Sequence, residues 1–231
     1  MLPLDKIKHI FFDLDHTLWD FDKNSEITYG IIFKKRNIDL LVDKFLEIYL
    51  PINTALWKLY RDEKIDKYEL RYERLRQSFD AMNYPIEDDV INTIAEDYIF
   101  YLSKQKHLIV GAMDLLEYLK PKYKLHIITN GFQEVQNHKL NNSELASFFD
   151  VIVNSEMAGV KKPHPQIFEL ALKKANANLE DSIMIGDSLE ADVYGALQYG
   201  FDAILFDYHN DKEASSDIKI VKELKEIKQY L

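Results

Sequence analysis

The 231 residues carry 29 lysines and arginines against 39 aspartates and glutamates, a net charge of −10, with 47% hydrophobic residues and no cysteine. That length suits one large domain or two modest ones, and the composition excludes disulfide frameworks and Cys-based zinc or redox sites. The acidic balance argues against nucleic acid as a partner, because phosphate backbones demand a basic face.

Met1 to Lys6 leads directly into an apolar segment, without the basic region, long apolar stretch and small-residue cleavage site of a secretory leader. No apolar run approaches the ~20 residues that span a bilayer, so the expectation is a cytoplasmic protein with no membrane partner. The segment Ile7 to Asp13 reads as a buried strand that stops abruptly at Asp13, with Asp15 two residues on and Thr17 after it. Desolvating an unpaired carboxylate costs several kcal/mol. The pair therefore belongs at the strand's carboxyl edge, beside a cation or substrate. Taken alone, it is equally compatible with a strand-edge aspartate followed by a helix-capping one, or with a Walker-B-type metal aspartate.

From Ser25 to Lys104 the apolar residues recur at helical spacing, as in Val42, Phe45, Leu46, Tyr49 and Leu50, or Ile91, Ile94, Ala95, Tyr98 and Ile99. This predicts about four amphipathic helices. Asp66 and Glu69 resemble a capping box opening the third, Asn83-Tyr84-Pro85 closes it, and Pro51 should kink or divide the second. After Gly111, Met113 to Lys120 reads as a helix. Leu125 to Thr129, Val151 to Val153, Ile183 to Ile185 and Ala203 to Phe206 read as short buried strands, with helices at Pro165 to Lys174 and Glu190 to Gln198. The Lys/Glu mixture from Lys219 onward reads as a solvated helix face. Strands alternating with helices predict an α/β domain with a parallel sheet. The helical block is an insertion into it, so 1–20 and 99–231 form the core and 21–98 the inserted domain.

Ligands of such sheets bind beyond the carboxyl ends of the strands, and each polar cluster falls there: Asp13 and Asp15, Thr129-Asn130, Lys161-Lys162 in a loop, and Gly186-Asp187-Ser188. Together they make a phosphoryl-transfer inventory. Asp13 can attack phosphorus to form an aspartyl-phosphate. Mg²⁺ would be held by Asp13, Asp187 and a backbone carbonyl at Asp15, and Lys162 would add positive charge against both the nucleophile and a phosphoryl oxygen. Thr129 and the N–H groups that follow, at Asn130 and Gly131, suit the remaining phosphoryl oxygens. Asp15 would shuttle the proton to the leaving group and from water. Asp192, five residues past Asp187, could orient Lys162 or a metal-bound water.

Each piece has a plain alternative: a strand-end hydroxyl for Thr129, a solvated loop for Lys161-Lys162, an N-cap for Asp187-Ser188. Their joint occurrence at strand ends is what these alternatives do not predict. His16, His126 and His138 show no metal-ligand spacing and read as structural or solvent-facing.

These motifs, in this order, resemble the haloacid dehalogenase-like (HAD) hydrolase superfamily: Asp13-Leu14-Asp15-His16-Thr17, then Thr129, Lys162 and Gly186-Asp187-Ser188-Leu189-Glu190-Ala191-Asp192. The resemblance implies a Rossmann-like core with a four-helix cap of the C1 type, Mg²⁺ dependence, Asp13 as nucleophile and Asp15 as general acid/base. The superfamily's dehalogenases lack an acidic residue at the position of Asp15, so its presence implies phosphate chemistry. Phe11 to Asp22, Leu56-Trp57 to Arg74, Ile128 to Phe132 and Ser155 to Pro163 further resemble the house-cleaning pyrimidine 5′-nucleotidases. That likeness implies a nucleotide among small phosphorylated metabolites as substrate, and a monomer or weak homodimer. Sugar-phosphate phosphatase, pyrophosphatase and phosphomutase are alternatives on the same scaffold, and a phospho-acceptor module without turnover is a further class. In the cap, Trp57 would stack on a base and Arg74 meet a phosphate or carbonyl; their alternatives are cap core for Trp57 and a surface salt bridge for Arg74.

Overall fold

The computed structural model describes residues 6–231. In chain order its principal elements are β1 His9–Phe12, the helices α1 Phe21–Arg36, α2 Val42–Arg61, α3 Lys67–Ala81 and α4 Asp88–Leu102, then α5 Ala112–Leu119, β2 Lys124–Thr129, α6 Gln133–Asn142 and β3 Val151–Asn154. They continue with α7 Ser155–Ala158, α8 Pro165–Ala175, β4 Ser182–Gly186, a π-helical turn at Leu189–Tyr194 running into α9 Gly195–Tyr199, β5 Asp202–Phe206, β6 Lys219–Val221 and a 3₁₀ stretch Leu224–Gln229. The chain divides into a core unit, up to Phe21 and from Lys106 to Leu231, and a helical unit, Asp22–Gln105. The boundary expected at residue 98 falls inside α4.

The core unit is built on one sheet of order β3-β2-β1-β4-β5-β6, with every neighbouring pair parallel. A parallel sheet covered on both faces needs strands apolar throughout. Ile10, Phe11 and Phe12 in β1, Ile127 and Ile128 in β2, and Met184 and Ile185 in β4 are accordingly fully buried. The order reverses between β1 and β4, a switch point where two adjacent strands send their crossovers in opposite directions and leave a crevice at their carboxyl ends. Asp13 extends that pairing: its N–H donates to the Ile185 carbonyl at 2.9 Å.

The carboxyl-terminal segment departs from the expected solvated helix. Lys219–Val221 pairs with β5 through Ile204–Lys219, Leu205–Ile220 and Phe206–Val221, and Val221, Leu224 and Ile227 are buried. The strand is short and its buried positions lie among charged ones, so the Lys/Glu pattern concealed it.

In the helical unit the apolar faces meet in an aromatic core, with Tyr29–Phe45 ring centroids 4.7 Å apart, Phe33–Phe45 5.0 Å and Phe45–Phe79 5.3 Å. Offset and edge contacts of this kind contribute about 0.5–1.5 kcal/mol each beyond area burial. The capping box at α3 is present: Asp66 accepts from the Tyr68 and Glu69 N–H groups at 2.7 and 2.9 Å, and Glu69 accepts from the Asp66 N–H at 2.8 Å. Pro51, by contrast, neither divides nor ends α2. It lies on the exposed face, where the Glu47 carbonyl left without its i+4 donor can meet water, while buried Phe45, Leu46, Tyr49, Asn53 and Leu56 hold the helix on both sides.

Candidate active site

Asp13 and Lys162 form the centre. Lys162, 1% exposed, donates from Nζ to Asp13 Oδ1 and to the Ile128 carbonyl, both at 2.6 Å. Its Nζ also lies 2.6 Å from Asp192 Oδ1, an ion pair by distance without hydrogen-bond alignment. Burial opposes the ammonium charge, but Asp13 and Asp192 outweigh it and hold the amine above the ordinary lysine value.

The sequence builds this contact through two local devices. The Asn130 side chain clamps the Lys162 main chain, accepting its N–H at 2.7 Å and donating to its carbonyl at 3.0 Å. Gly186 closes β4, and a Cβ there would lie 2.3 Å from Asp192 Oδ2, so only glycine lets that carboxylate approach. The π-helical turn brings Asp192 back, its Oδ2 accepting the Ser188 N–H at 2.9 Å, while Ser188 Oγ caps the turn at the Ala191 N–H. The expected single helix from Glu190 to Gln198 is thus a π turn followed by α9. Single π turns of this sort recur at functional sites.

Asp13, Asp187 and Asp192 each offer an oxygen within 4.8 Å of the others. Burial drives the Asp13 carboxyl well above its ordinary value, with Lys162 opposing and Asp192 and Asp187 reinforcing the rise. Burial and then Asp192 push Asp187 up to about 7, against Lys162 and Lys212. Thr17 Oγ1 donates to Asp187 Oδ1 at 3.4 Å. Three carboxylates around one ammonium leave negative charge uncompensated, and an all-oxygen donor set under those conditions fits a hard divalent cation.

Asp15 belongs to a different network. Its Oδ1 accepts from Lys139 Nζ at 2.5 Å and its Oδ2 from Gln136 Nε2 at 2.9 Å. The same Gln136 amide donates to Thr129 Oγ1 at 2.7 Å, which also accepts the Gly131 N–H at 3.1 Å, leaving the hydroxyl hydrogen to donate. Gly131 makes room: a Cβ there would sit 2.2 Å from Gln136 Nε2. Lys139 Nζ stands 4.0 Å over the Trp19 ring.

Sequence reasoning missed Gln136 and Lys139. The available signal was a polar pair at i, i+3 on the face that also carries the buried Val135 and Leu140. Of the N–H groups expected to be open after Thr129, that of Gly131 bonds Thr129 at 3.1 Å; further on, the Gln133 N–H bonds Glu156 at 2.7 Å. The Asn130 side chain is likewise engaged with Lys162. Trp57 and Arg74 lie in the helical unit. Trp57 is half-buried and edge-on to Tyr60 at 5.6 Å. Arg74 is buried and, among the described residues, makes no surface salt bridge; its guanidinium stands 4.7 Å over the Tyr98 ring.

A doubly wound parallel sheet with carboxylates from two adjacent strands at its switch point and a buried lysine between them defines an α/β enzyme core. The chain belongs to the haloacid dehalogenase-like hydrolases, whose family model matches residues 7–200. It is 34% identical to the pyrimidine 5′-nucleotidase PynA of Streptococcus pneumoniae over 88% of this chain and 85% of that one. It is 30% identical to the pyrimidine 5′-nucleotidase YjjG of Escherichia coli over 96% of each. The solved structure of the HAD-hydrolase YfnB of Bacillus subtilis, bound to magnesium, superposes with a TM-score of 0.85 at 27% identity, covering 97% of this chain and 98% of that one. Among the described residues, no helix is long and apolar enough to cross a membrane.

Proposed function

We propose that this hydrolase is a Mg²⁺-dependent phosphomonoesterase acting through an aspartyl-phosphate on Asp13, with pyrimidine nucleoside 5′-monophosphates as its substrates. The observation that carries the reading is the separation of two aspartates two residues apart into different environments: Asp13 among buried carboxylates and Lys162, Asp15 against Lys139 and Gln136.

In this reading Lys162 fixes Asp13 Oδ1, and Oδ2 attacks phosphorus. Lys162 then offsets charge on the nucleophile and on a phosphoryl oxygen. Thr129 donates its hydroxyl hydrogen to a second phosphoryl oxygen, and Gln136 orients that hydroxyl. Asp15 delivers a proton to the departing alkoxide, then takes one from the water that attacks the phosphorus of the aspartyl-phosphate. Mg²⁺ held by Asp13, Asp187 and the Asp15 carbonyl would neutralise the charge of nucleophile and phosphate together. Asp192 and Ser188 are positioning residues, the first for Lys162 and the second for the turn that carries Asp192. The helical unit is the C1-type cap that selects the substrate, with Trp57 the candidate to stack on a base and Arg74 to meet a phosphate or carbonyl oxygen. Likeness to two pyrimidine 5′-nucleotidases at 30–34% identity supports a nucleotide as the substrate and its nucleoside as the leaving group, and a cytoplasmic location accords with a chain that carries no cysteine.

The test is phosphate release with Mg²⁺ across nucleoside monophosphates, sugar phosphates and pyrophosphate. Preference for pyrimidine monophosphates is expected; equal rates regardless of the base would overturn the nucleotidase assignment, and no release from any monoester would overturn the phosphatase one.

A further inference from the structure

The loop after β5 has no part in the chemistry proposed at Asp13, yet it folds over the site. In the sheet β4 separates β5 from β1, so strand pairing alone would leave this loop one strand away from Asp13 and Asp15. Asp207 turns it back. That residue is buried, and its N–H donates to the Val221 carbonyl at 2.8 Å, continuing the pairing with β6. Its carboxylate accepts the N–H groups of Asp211 and Lys212 at 3.1 and 3.3 Å. A buried carboxylate is tolerated only when donors satisfy it, so these bonds hold residues 207–212 in a closed turn.

The turn brings two side chains to the carboxyl edge of the sheet. The Lys212 ammonium opposes the rise of the Asp187 carboxyl, and the His209 ring meets His16 edge-on with centroids 6.1 Å apart. His16 directly follows Asp15. Its backbone is left-handed at φ 63°, its N–H bonds the Trp19 carbonyl at 2.9 Å, and its ring lies 4.8 Å from Phe21. On the other side of His209 stands Tyr208, edge-on at 5.2 Å, and both residues are exposed. A ligand can therefore reach the two imidazoles from solvent without displacing packed core.

A proton delivered by Asp15 goes to the oxygen that joins phosphorus to the rest of the substrate. The carbon skeleton attached to that oxygen must then lie beside Asp15 and the residue next to it. A neutral imidazole carries one donor and one acceptor, the complement of a hydroxyl, which also does both. We infer that His16 and His209 bind the sugar of the leaving nucleoside through its hydroxyls, and that the loop 207–212 is a specificity element supplied by the core unit. The assignment rests on the phosphomonoesterase reading of Asp13 and Asp15.

The test compares kcat/KM, with Mg²⁺, for uridine 5′-monophosphate and its 2′,3′-dideoxy analogue. The wild type should prefer the hydroxylated substrate about three- to tenfold, the worth of one neutral hydrogen bond. His209→Phe, which keeps a ring beside His16, should lose that preference, chiefly through a higher KM for the ribonucleotide. A merely structural histidine would slow both substrates alike and preserve the ratio; that result, or a wild type that does not distinguish the two, overturns the proposal. His16→Gly allows the left-handed backbone without the imidazole, should lose the same preference, and decides if His209→Phe does not fold. A wild type that releases phosphate from neither substrate would overturn the phosphatase reading instead, and binding then decides the sugar contact. In the full chain with ¹³C-labelled histidine, uridine 5′-monophosphate should shift the His16 and His209 ring signals and inorganic phosphate should not; equal shifts from both, or none from the nucleotide, would contradict the assignment.

Discussion

Lys162 is the residue on which both structure and chemistry converge, since among the described residues its ammonium is the one cation within 2.6 Å of both Asp13 and Asp192. Removing one partner of a buried ionic group costs about 3–5 kcal/mol. Lys162→Met should therefore lower stability by that order in denaturant unfolding and abolish phosphate release, whereas an unchanged unfolding midpoint would contradict the assignment of charge at this site. Asp15 should behave differently. Its side chain is partly exposed and tied to α6, so Asp15→Asn should fold normally while kcat drops by about 10²–10⁴-fold, the usual span of general acid–base catalysis. Lys139→Met should lower kcat by a smaller factor through loss of Asp15 orientation, with KM for an aryl phosphate little changed. A rise in KM at constant kcat would instead make Lys139 a substrate contact.

At the level of elements, α6 and the π turn after β4 carry the site, and both were hard to read. Gln133–Asn142 contains only Val135 and Leu140 as apolar residues on its buried face, the other buried positions being Gln136 and Lys139. An element whose inward face is polar because it serves the site has no apolar stripe to betray it. The strands were legible for the opposite reason: Phe11-Phe12, Ile127-Ile128 and Met184-Ile185 are buried on both faces and appear as bare apolar runs. Asp13 and Asp187 were legible because each directly follows a strand, and Lys162 because it lies in the segment between β3 and α8. That Asn130 serves Lys162 was not, because a side-chain clamp on a residue 32 positions away leaves no local pattern. Pro51 tests the account of α2. Because the Glu47 carbonyl lacks its i+4 donor, Pro51→Ala should raise stability by about 1–3 kcal/mol in chemical denaturation; a neutral or destabilising result would show that the proline is accommodated without cost.

For the whole molecule, strand order decides the function, and no local pattern encodes it. Alternating strands and helices announce a parallel sheet, but only the observed order places β1 beside β4 and so Asp13 beside Asp187. The excess negative charge gathered there sets a pH dependence. Folded metal-free protein retains protons on Asp13 and Asp187 that the unfolded chain, with carboxyls near 4, releases. The folded state therefore binds more protons between about pH 4 and 7, and this contribution to stability falls as pH rises across that window. Under the proposed function, Mg²⁺ bound at this site would displace those protons. Its affinity by calorimetry should accordingly drop about tenfold from pH 8 to pH 6; a pH-independent affinity would indicate that the cation binds elsewhere.

The central claim is that Asp13 is the nucleophile. Rapid acid quench during turnover of a pyrimidine nucleoside monophosphate, followed by peptide mass mapping, should reveal a phosphate on the peptide containing Asp13 and none in Asp13→Asn, which should fold but release no phosphate. Phosphate release that persists in Asp13→Asn, or a phosphorylated residue elsewhere in the chain, would contradict the account.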